Sequence, residues 1–279
     1  MSLPAFRFRN GGAVSRLGLG TWRMGESAAE RAGEIAALKL GLDLGMTLID
    51  TAEMYGEGGA EEVVAEAIRG RRDEVFVVSK FYPYHAAKAQ LVRACERSLE
   101  RLRVEAIDLY LLHWRGSVPF AETIETLERL VEGGKIRRWG VSNLDVPELE
   151  EIAALEGGAG LATVQVLYNL AQRGVEFDLV PWCAGRGIPV MAYSPLDQGD
   201  LAEAAGLAAI AQRAGVSNAQ LALAWVLRDP NVIAIPKATR LEHVRANRAA
   251  ADVLLDPVML EALDKIYAAP RRKRPLQMV

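Results

Sequence analysis

The stretch Val75-Phe-Val-Val-Ser79 is a short apolar run that ends directly before the charged residue Lys80. A second run of this kind, Ile107–Leu112, ends directly before His113. Apolar residues on both faces of such runs predict strands buried between two layers. The segment between the two runs carries apolar residues at helical spacing, so together they predict one β-α-β unit.

The same unit recurs along the whole chain. A barrel of eight strands alternating with eight helices is typical of the TIM fold. A doubly wound sheet is the alternative, but Gly18-Leu-Gly-Thr-Trp-Arg23 lacks the third glycine of the dinucleotide-binding turn. We therefore predict an α/β fold, a (β/α)8 barrel forming a single domain over residues 1–279. The predicted strands are Leu17–Gly20, Thr47–Asp50, Val75–Ser79, Ile107–Leu112, Ile136–Val141, Thr163–Leu167, Pro189–Tyr193 and Val232–Ile235.

Three segments fall outside the repeated units. Residues 6–16, with Asn10-Gly-Gly12 at their centre, predict a β-hairpin that closes the bottom of the barrel. Residues 256–268 predict one extra helix. The tail, residues 269–279, contains the basic run Arg271–Arg274 and is predicted to be solvated.

Composition narrows the class of protein. The net charge is −3, and 51% of the residues are hydrophobic. This balance favours neither nucleic acid nor a membrane as partner. The N-terminus lacks the features of a signal peptide, and the two cysteines form no CxxC pair, so we expect a cytoplasmic protein, taken as a monomer. The three histidines are far apart and outside any HxH or HExxH pattern, so no metal site is predicted.

Polar side chains stand where several predicted strands end. Asp50 ends the second strand, Lys80 follows the third and His113 the fourth, while Tyr55 lies in the loop after Asp50. Taken alone, an Asp or Lys at a strand end is more often a turn residue or ion-pair partner, and a tyrosine in such a loop is more often an anchor. A lone His113 is as well explained by a structural role. Because strand ends meet at one face of such a barrel, we expect the four to converge. There a phenol beside an ammonium group should have a lowered pKa and exchange protons more easily.

Seven ordered motifs give the chain its resemblance to the aldo-keto reductase superfamily. The resemblance runs from Leu17 to Asn247, nearly the whole chain, and agreement in so many ordered motifs is specific. The motifs are Leu17-Gly-Leu-Gly-Thr-Trp22 with Leu48-Ile-Asp-Thr-Ala-Glu-Met-Tyr-Gly56, Val78-Ser-Lys80, Asp108-Leu-Tyr-Leu-Leu-His-Trp114, Gly140-Val-Ser-Asn143, Gln165 with Tyr168-Asn169, Ala192-Tyr-Ser-Pro-Leu196 and Ile235-Pro-Lys237.

The resemblance implies a catalytic tetrad of Asp50, Tyr55, Lys80 and His113. Tyr55 would be the general acid when a carbonyl is reduced, and Lys80, held by Asp50, would lower its pKa. His113 would orient the carbonyl and donate a hydrogen bond to its oxygen. The implied reaction is hydride transfer from NAD(P)H, which converts aldehydes or ketones to alcohols.

The resemblance also implies NADPH as cofactor, with NADH possible. Ser142, Asn143 and Gln165 would hold the nicotinamide carboxamide, Tyr193 would stack on its ring, and Lys237 would meet the 2′-phosphate. Relatives that prefer NADPH commonly carry Ser, Arg and Glu where this chain has Ala238, His243 and Ala246, which predicts a modest preference with Arg240 as substitute. The full set of implied cofactor contacts is Gly20, Thr21, Trp22, Asp50, Ser142, Asn143, Gln165, Tyr193, Ser194, Pro195, Leu196, Pro236, Lys237, Ala238, Thr239, Arg240, His243 and Asn247.

Substrate contacts are predicted at Trp22, Tyr55, Phe81, His113 and Trp114, the side chains around the tetrad positions. Aromatic walls suit a small-molecule carbonyl substrate, either an aromatic aldehyde or a small dicarbonyl. The alternative from another class is a regulatory protein of the same fold that binds nicotinamide nucleotides and turns over slowly.

Overall fold

The structure is a computed structural model that describes residues 3–9 and 11–279. It opens with an antiparallel hairpin of β1, Ala5–Arg7, and β2, Ala13–Ser15. This confirms the hairpin predicted over residues 6–16, although Asn10 of its turn lies outside the described residues. Phe8 and Val14 pack against residues of the barrel strands, including Leu48, so the hairpin covers one end of the barrel interior.

Eight parallel strands follow in one sheet, and their spatial order is their order along the chain. The sheet closes on itself because the N–H of Gly18 donates to the carbonyl of Ala234 at 2.8 Å and that of Gly20 to Pro236 at 3.0 Å. The predicted (β/α)8 barrel is therefore confirmed. Its strands are β3, Leu19–Gly20; β4, Leu48–Asp50; β5, Phe76–Phe81; β6, Leu109–Leu112; β7, Trp139–Ser142; β8, Leu161–Leu167; β9, Val190–Tyr193; and β10, Val232–Ala234.

Helices pack around the sheet and bury its outer face. The last of them is the helix predicted over residues 256–268. In chain order they are α1, Arg31–Asp43; α2, Gly59–Ala67; α3, Lys88–Leu102; α4, Phe120–Glu132; α5, Val146–Ala153; α6, Leu179–Gly185; α7, Asp200–Glu203; α8, Ala208–Ala214; α9, Asn218–Leu227; α10, Leu241–Ala250; and α11, Pro257–Ile266. None of these helices combines the length and apolar character needed to cross a membrane.

A buried arginine joins the first barrel strand to the last part of the barrel. The guanidinium of Arg16, which is 8% exposed, donates to the backbone carbonyls of Leu227, Asp229 and Val232. Because a buried charge without partners is costly, these three bonds hold the beginning and the end of the sheet together.

The tail is ordered against the barrel. The ammonium of Lys273 bonds to Asp178 at 2.8 Å and also to Asp145, the residue that caps α5. Leu276 packs on the hydrophobic core, and Val279 lines the large cavity at the mouth of the barrel. The basic run Arg271–Arg274 is exposed to solvent, as predicted, but two carboxylates on neighbouring loops hold its lysine against the barrel.

Candidate active site

Asp50, Lys80 and Tyr55 form one hydrogen-bonded chain at the barrel mouth. Asp50 ends β4 and Lys80 stands in β5, where parallel pairing aligns the two strands. The Lys80 side chain is fully buried, and its Nζ donates to Oδ2 of Asp50 at 2.7 Å and to the carbonyl of Thr51 at 2.9 Å. Its third partner is the hydroxyl oxygen of Tyr55, at 3.1 Å. The ammonium thus has all three donors occupied.

His113 completes the group from the end of β6. Its ring lies 5.9 Å from the ring of Tyr55, centroid to centroid, at an interplanar angle of 75°. Burial, with a smaller contribution from the charge of Lys80, lowers the pKa of His113 to about 2. The imidazole is therefore neutral at working pH, with one donor nitrogen and one acceptor. Its Nδ1 is buried without a hydrogen-bond partner among the described residues.

The pKa of Tyr55 is shifted in the opposite direction to the one predicted. Burial raises the pKa of Tyr55 above its usual range and outweighs the charge of Lys80, which acts to lower it. Burial also acts to lower the pKa of Lys80, but Asp50 and Tyr55 outweigh burial there, and the pKa of Lys80 rises. The resting site therefore holds a protonated phenol beside a protonated amine, so a proton is available for donation.

A cavity of about 710 Å³ opens from this group and runs across the strand ends to α10. It brings together most of the residues that the sequence assigns to cofactor or substrate. Those that line it are Gly20, Thr21, Trp22, Asp50, Tyr55, His113, Ser142, Asn143, Gln165, Tyr193, Ser194, Pro195, Leu196, Pro236, Lys237, His243 and Asn247.

The middle of the cavity has the donors and acceptors that a nicotinamide carboxamide requires. The hydroxyl of Ser142 is buried and has no partner among the described residues, so it is free to donate and accept. Gln165 donates to Oδ1 of Asp50 at 2.8 Å, and the Tyr193 hydroxyl donates to Oδ1 of Asn143 at 2.8 Å. These bonds fix the two amides and the tyrosine ring in place. The residues present fit a nicotinamide nucleotide.

A family model described as the aldo/keto reductase family matches residues 16–268. This match covers every strand of the barrel and all four residues of the group at its mouth.

The chain belongs to the aldo/keto reductase family.

Known relatives agree with this membership. The chain is 49% identical to methylglyoxal reductase YeaE of Escherichia coli over 284 residues, which cover 100% of both chains. It is 53% identical to an aldo/keto reductase of Klebsiella pneumoniae, with a TM-score of 0.97, covering 99% of this chain and 100% of that one. That protein was crystallised with NADP and acetate, and a second structure, equally similar, with NADPH. The predicted resemblance is confirmed, and this aldo/keto reductase is an oxidoreductase of carbonyl compounds.

Two predicted substrate residues of the reductase lie outside the cavity wall. β5 continues through Phe81, one residue beyond Lys80, and successive side chains of a strand point to opposite faces. Lys80 points into the barrel, so Phe81 points outward, where it is fully buried against Tyr110 with ring centroids 5.1 Å apart. Trp114 packs on Tyr82 and His113 and does not line the cavity either.

Three predicted cofactor residues also lie off the cavity wall: Ala238, Thr239 and Arg240. The helix that follows begins at Leu241, so these residues belong to the turn that leads into it. Arg240 is exposed, and its guanidinium pairs with Glu242, with Nε donating to the carboxylate at 2.8 Å. Its charge is therefore already balanced by a neighbour.

The cavity wall also contains residues that sequence reasoning missed. Arg23 stacks on the ring of Trp22, with its guanidinium carbon 4.5 Å from the ring centroid. It follows the Gly-Thr-Trp motif directly, and that position was the available signal. Val279 at the end of the described tail had no such signal, because its position depends on distant ion pairs. The others are Met54, Gln198, Gly199, Ala202, Ser217, Ala219, Ile235, Glu242 and Ala246.

Proposed function

We propose that this aldo/keto reductase uses NADPH to reduce small dicarbonyl compounds, the 2-oxoaldehydes, with Tyr55 as the proton donor. The observation that carries the proposal is the chain Asp50–Lys80–Tyr55. It begins at a buried ion pair of 2.7 Å and ends in a protonated phenol on the cavity wall beside His113.

Each residue of this group has a distinct role in the proposed reduction. Bound NADPH supplies a hydride to the carbonyl carbon. Tyr55 gives its proton to the carbonyl oxygen, and Lys80 stabilises the phenolate that remains until it takes a proton from water. Because His113 is neutral, it can offer a ring N–H to the same oxygen without competing as an acid. Asp50 holds Lys80 in place through their ion pair.

NADPH as cofactor is supported by the Klebsiella pneumoniae structures and by the donor set of the cavity. Ser142, Asn143 and Gln165 would hold the carboxamide. Tyr193, fixed by its bond to Asn143, offers a flat face to the nicotinamide ring. Lys237 lines the far part of the cavity and would meet the 2′-phosphate.

The substrate class is supported by the cavity and by the names of relatives. With Phe81 and Trp114 outside the wall, the aromatic surface near Tyr55 consists of Trp22 and Tyr193, which favours small dicarbonyls over extended aromatic aldehydes. Relatives carry the names methylglyoxal reductase and glyoxal reductase, the latter from Bacillus subtilis at 33% identity. Nothing among these relatives supports the regulatory alternative.

We also propose a cytoplasmic location and a monomeric state. Cys95 and Cys183 are both buried and unpaired, which suits a reducing compartment. Sedimentation of the purified protein at several concentrations tests the monomer, and a concentration-dependent rise in mass would refute it.

The function is tested by following NADPH oxidation with methylglyoxal, glyoxal, benzaldehyde, an aldose and a 2-oxo acid. We expect the highest efficiency with methylglyoxal or glyoxal. Tyr55→Phe, which keeps the ring and loses the proton, should lower turnover by about a hundredfold to ten-thousandfold while NADPH still binds. Tyr84→Phe is the matched control, because that tyrosine is 64% exposed and outside the cavity. Near-normal turnover in Tyr55→Phe would refute the role of Tyr55 as acid.

A further inference from the structure

We propose that Glu53 is a positioning residue that fixes the hydroxyl of Tyr55 at its distance from Lys80. The inference rests on the proposed reduction with Tyr55 as proton donor, and it adds a residue that the catalytic group does not include. Glu53 is 7% exposed and does not line the cavity. It can therefore act on the reaction only through the residues that it holds.

Glu53 lies within the turn that carries Tyr55. The N–H of Tyr55 donates to the carbonyl of Ala52 at 3.1 Å, so Glu53 and Met54 are the two central residues of this turn. Met54 and Tyr55 both line the cavity, whereas Glu53 is buried behind them. A shift of Glu53 relative to β5 would therefore move Tyr55 as well.

The backbone before the turn is paired with β5 as far as Lys80. The N–H of Thr51 donates to the carbonyl of Val78 at 2.9 Å, and that of Glu53 donates to the carbonyl of Lys80 at 3.1 Å. Lys80 is thus bonded to this segment twice. Its carbonyl accepts from Glu53, and its ammonium donates to the hydroxyl of Tyr55 at 3.1 Å.

The side chain of Glu53 supplies a further link on the other side of Lys80. Its Oε1 accepts from the N–H of Tyr82, two residues beyond Lys80, at 2.8 Å. The same oxygen lies 2.7 Å from Nδ1 of His85, and Oε2 lies 3.7 Å from the guanidinium of Arg97. The carboxylate therefore joins the turn to the loop after β5 and to α3.

The bond to Tyr82 is the contact that sets the distance between the turn and β5. Arg97 contributes little, because its guanidinium is 44% exposed and stands at 3.7 Å. The bond to Tyr82 instead connects two backbone segments through a side chain of fixed length. An N–H that loses its acceptor inside the protein is costly, so the turn must keep an oxygen at this place. The reach of the Glu53 side chain therefore matters more than its charge.

This distance matters for proton donation. Tyr55 has to deliver its proton to the carbonyl oxygen while the ammonium of Lys80 stays close enough to stabilise the phenolate. Misplacement by about 1 Å can lower the rate of a positioned reaction about a hundredfold. A Glu53 side chain shortened by one methylene would either lose the bond to Tyr82 or draw the turn toward β5. In both cases Tyr55 moves relative to Lys80.

The experiment compares two conservative variants of the full chain. Glu53→Gln keeps the length of the side chain and an acceptor oxygen, whereas Glu53→Asp keeps the charge and is one methylene shorter. Single-turnover rates of methylglyoxal reduction are measured with saturating NADPH. We expect Glu53→Gln to stay within about threefold of wild type and Glu53→Asp to be slower by about tenfold or more. The dissociation constant of NADPH should be unchanged in both, which also shows that the fold is intact.

Glu62→Asp is the matched control. It makes the same change at a glutamate of α2 whose side chain is 50% exposed and lies off the cavity wall. Its rate and its affinity for NADPH should equal those of wild type.

A second measurement separates positioning from a general loss of structure. In Tyr55→Phe there is no proton donor left to position, so adding Glu53→Asp should lower the remaining rate little. A merely structural role would lower the rate by the same factor in both backgrounds, because independent effects are additive in free energy.

Three results would overturn the inference: a normal rate in Glu53→Asp, a Glu53→Gln as slow as Glu53→Asp, or equal losses with and without Tyr55. The proposed function is judged separately, on wild type and Tyr55→Phe alone. If wild type reduces methylglyoxal and Tyr55→Phe does not, any of the three refutes only the role of Glu53. If wild type reduces no carbonyl compound, or Tyr55→Phe is as active, the proposed function itself fails.

Discussion

The two ends of the cavity differ in the burial and the bonding of their charged side chains. At the reacting end, Lys80 is fully buried, its three donors are used, and Asp50 has a partner on each oxygen. At the far end, Lys237 and His243 are exposed and have no ion pair among the described residues. The side chains of the reacting end are held by hydrogen bonds to one another without a ligand. Lys237 and His243 at the far end would gain a charged partner only from a bound ligand.

This contrast shows where the reductase can vary without losing its chemistry. A buried, fully bonded group tolerates little change, because removing one member leaves another without a partner in a medium of low dielectric. An exposed cation can be exchanged at the cost of a small change in affinity. We therefore expect large, coupled effects at Asp50, Lys80 and Tyr55 and small, independent ones at Lys237 and His243.

The largest effect is expected from Lys80→Met. It leaves the carboxylate of Asp50 buried without its cation and removes the group that acts to lower the pKa of Tyr55. Breaking a buried ion pair typically lowers the free energy of unfolding by about 3–5 kcal/mol. Turnover should fall by more than a thousandfold, on the order of the general acid's whole contribution. Denaturant unfolding and single-turnover rates measure the two losses, and Lys237→Met is the matched control. A stable Lys80→Met with normal rates would contradict the contrast between the two ends.

The second effect concerns pH. Because the pKa of Tyr55 is raised above 10, the phenol keeps its proton throughout the neutral range. Reduction, which uses the protonated form, should be independent of Tyr55 ionisation from about pH 6 to 9, whereas alcohol oxidation, which needs the phenolate, should rise about tenfold per pH unit. Stopped-flow rates in both directions test this. An alkaline fall of reduction beginning near pH 7 would show that the pKa of Tyr55 is lowered after all.

The third effect is on stability in acid. The fold lowers the pKa of His113 to about 2, so the imidazole stays neutral in the folded protein at any pH above that. In the unfolded chain the same imidazole takes up a proton below about pH 6.5. The stabilisation is present above that pH and is lost as pH falls, by about 1.4 kcal/mol per pH unit. Denaturant unfolding between pH 7 and 4.5 should show this slope in wild type and less of it in His113→Gln. His243→Gln, which changes an exposed histidine, should retain it; equal slopes in all three proteins would exclude His113 as the cause.

The smallest effect is expected at Lys237. Replacing it by alanine should weaken NADPH binding by about fivefold, the value of one exposed charge pair, and change NADH binding little. Fluorescence titration with both cofactors measures this. Equal losses for the two would mean that the 2′-phosphate is bound elsewhere, with His243 as the next candidate on the cavity wall.

Sequence alone was sufficient for the architecture and for bringing Asp50, Lys80 and Tyr55 together. Strands that are apolar on both faces appear in the sequence as apolar runs. The residue that ends or directly follows such a run lies at the mouth of the barrel, as Asp50 and His113 show. Asp50, Lys80 and Tyr55 were predicted to converge, and the structure brings them within hydrogen-bond distance. The catalytic roles of these residues stay a prediction until the variants are measured.

Three kinds of feature could not be predicted from the sequence: the exact ends of strands, contacts between distant parts of the chain, and the balance between burial and charge that sets a pKa. Phe81 was misplaced because the strand ends two residues later than predicted, at Phe81, and turns its side chain outward. The contacts of the tail were not predicted because the partners of Lys273 lie about a hundred residues away or more in the chain. The direction of the pKa of Tyr55 was misjudged because a nearby cation is visible in a motif, whereas the degree of burial is not.

The buried guanidinium of Arg16 has a consequence for biosynthesis. Its acceptors, the carbonyls of Leu227, Asp229 and Val232, are made more than two hundred residues after it. Until that part of the chain has left the ribosome, Arg16 can only remain in water, and the first strand has no last strand to pair with. The ring of strands therefore closes late, and chain breaks upstream of Leu227 should yield products that hydrophobic surface drives to aggregate or to bind chaperones.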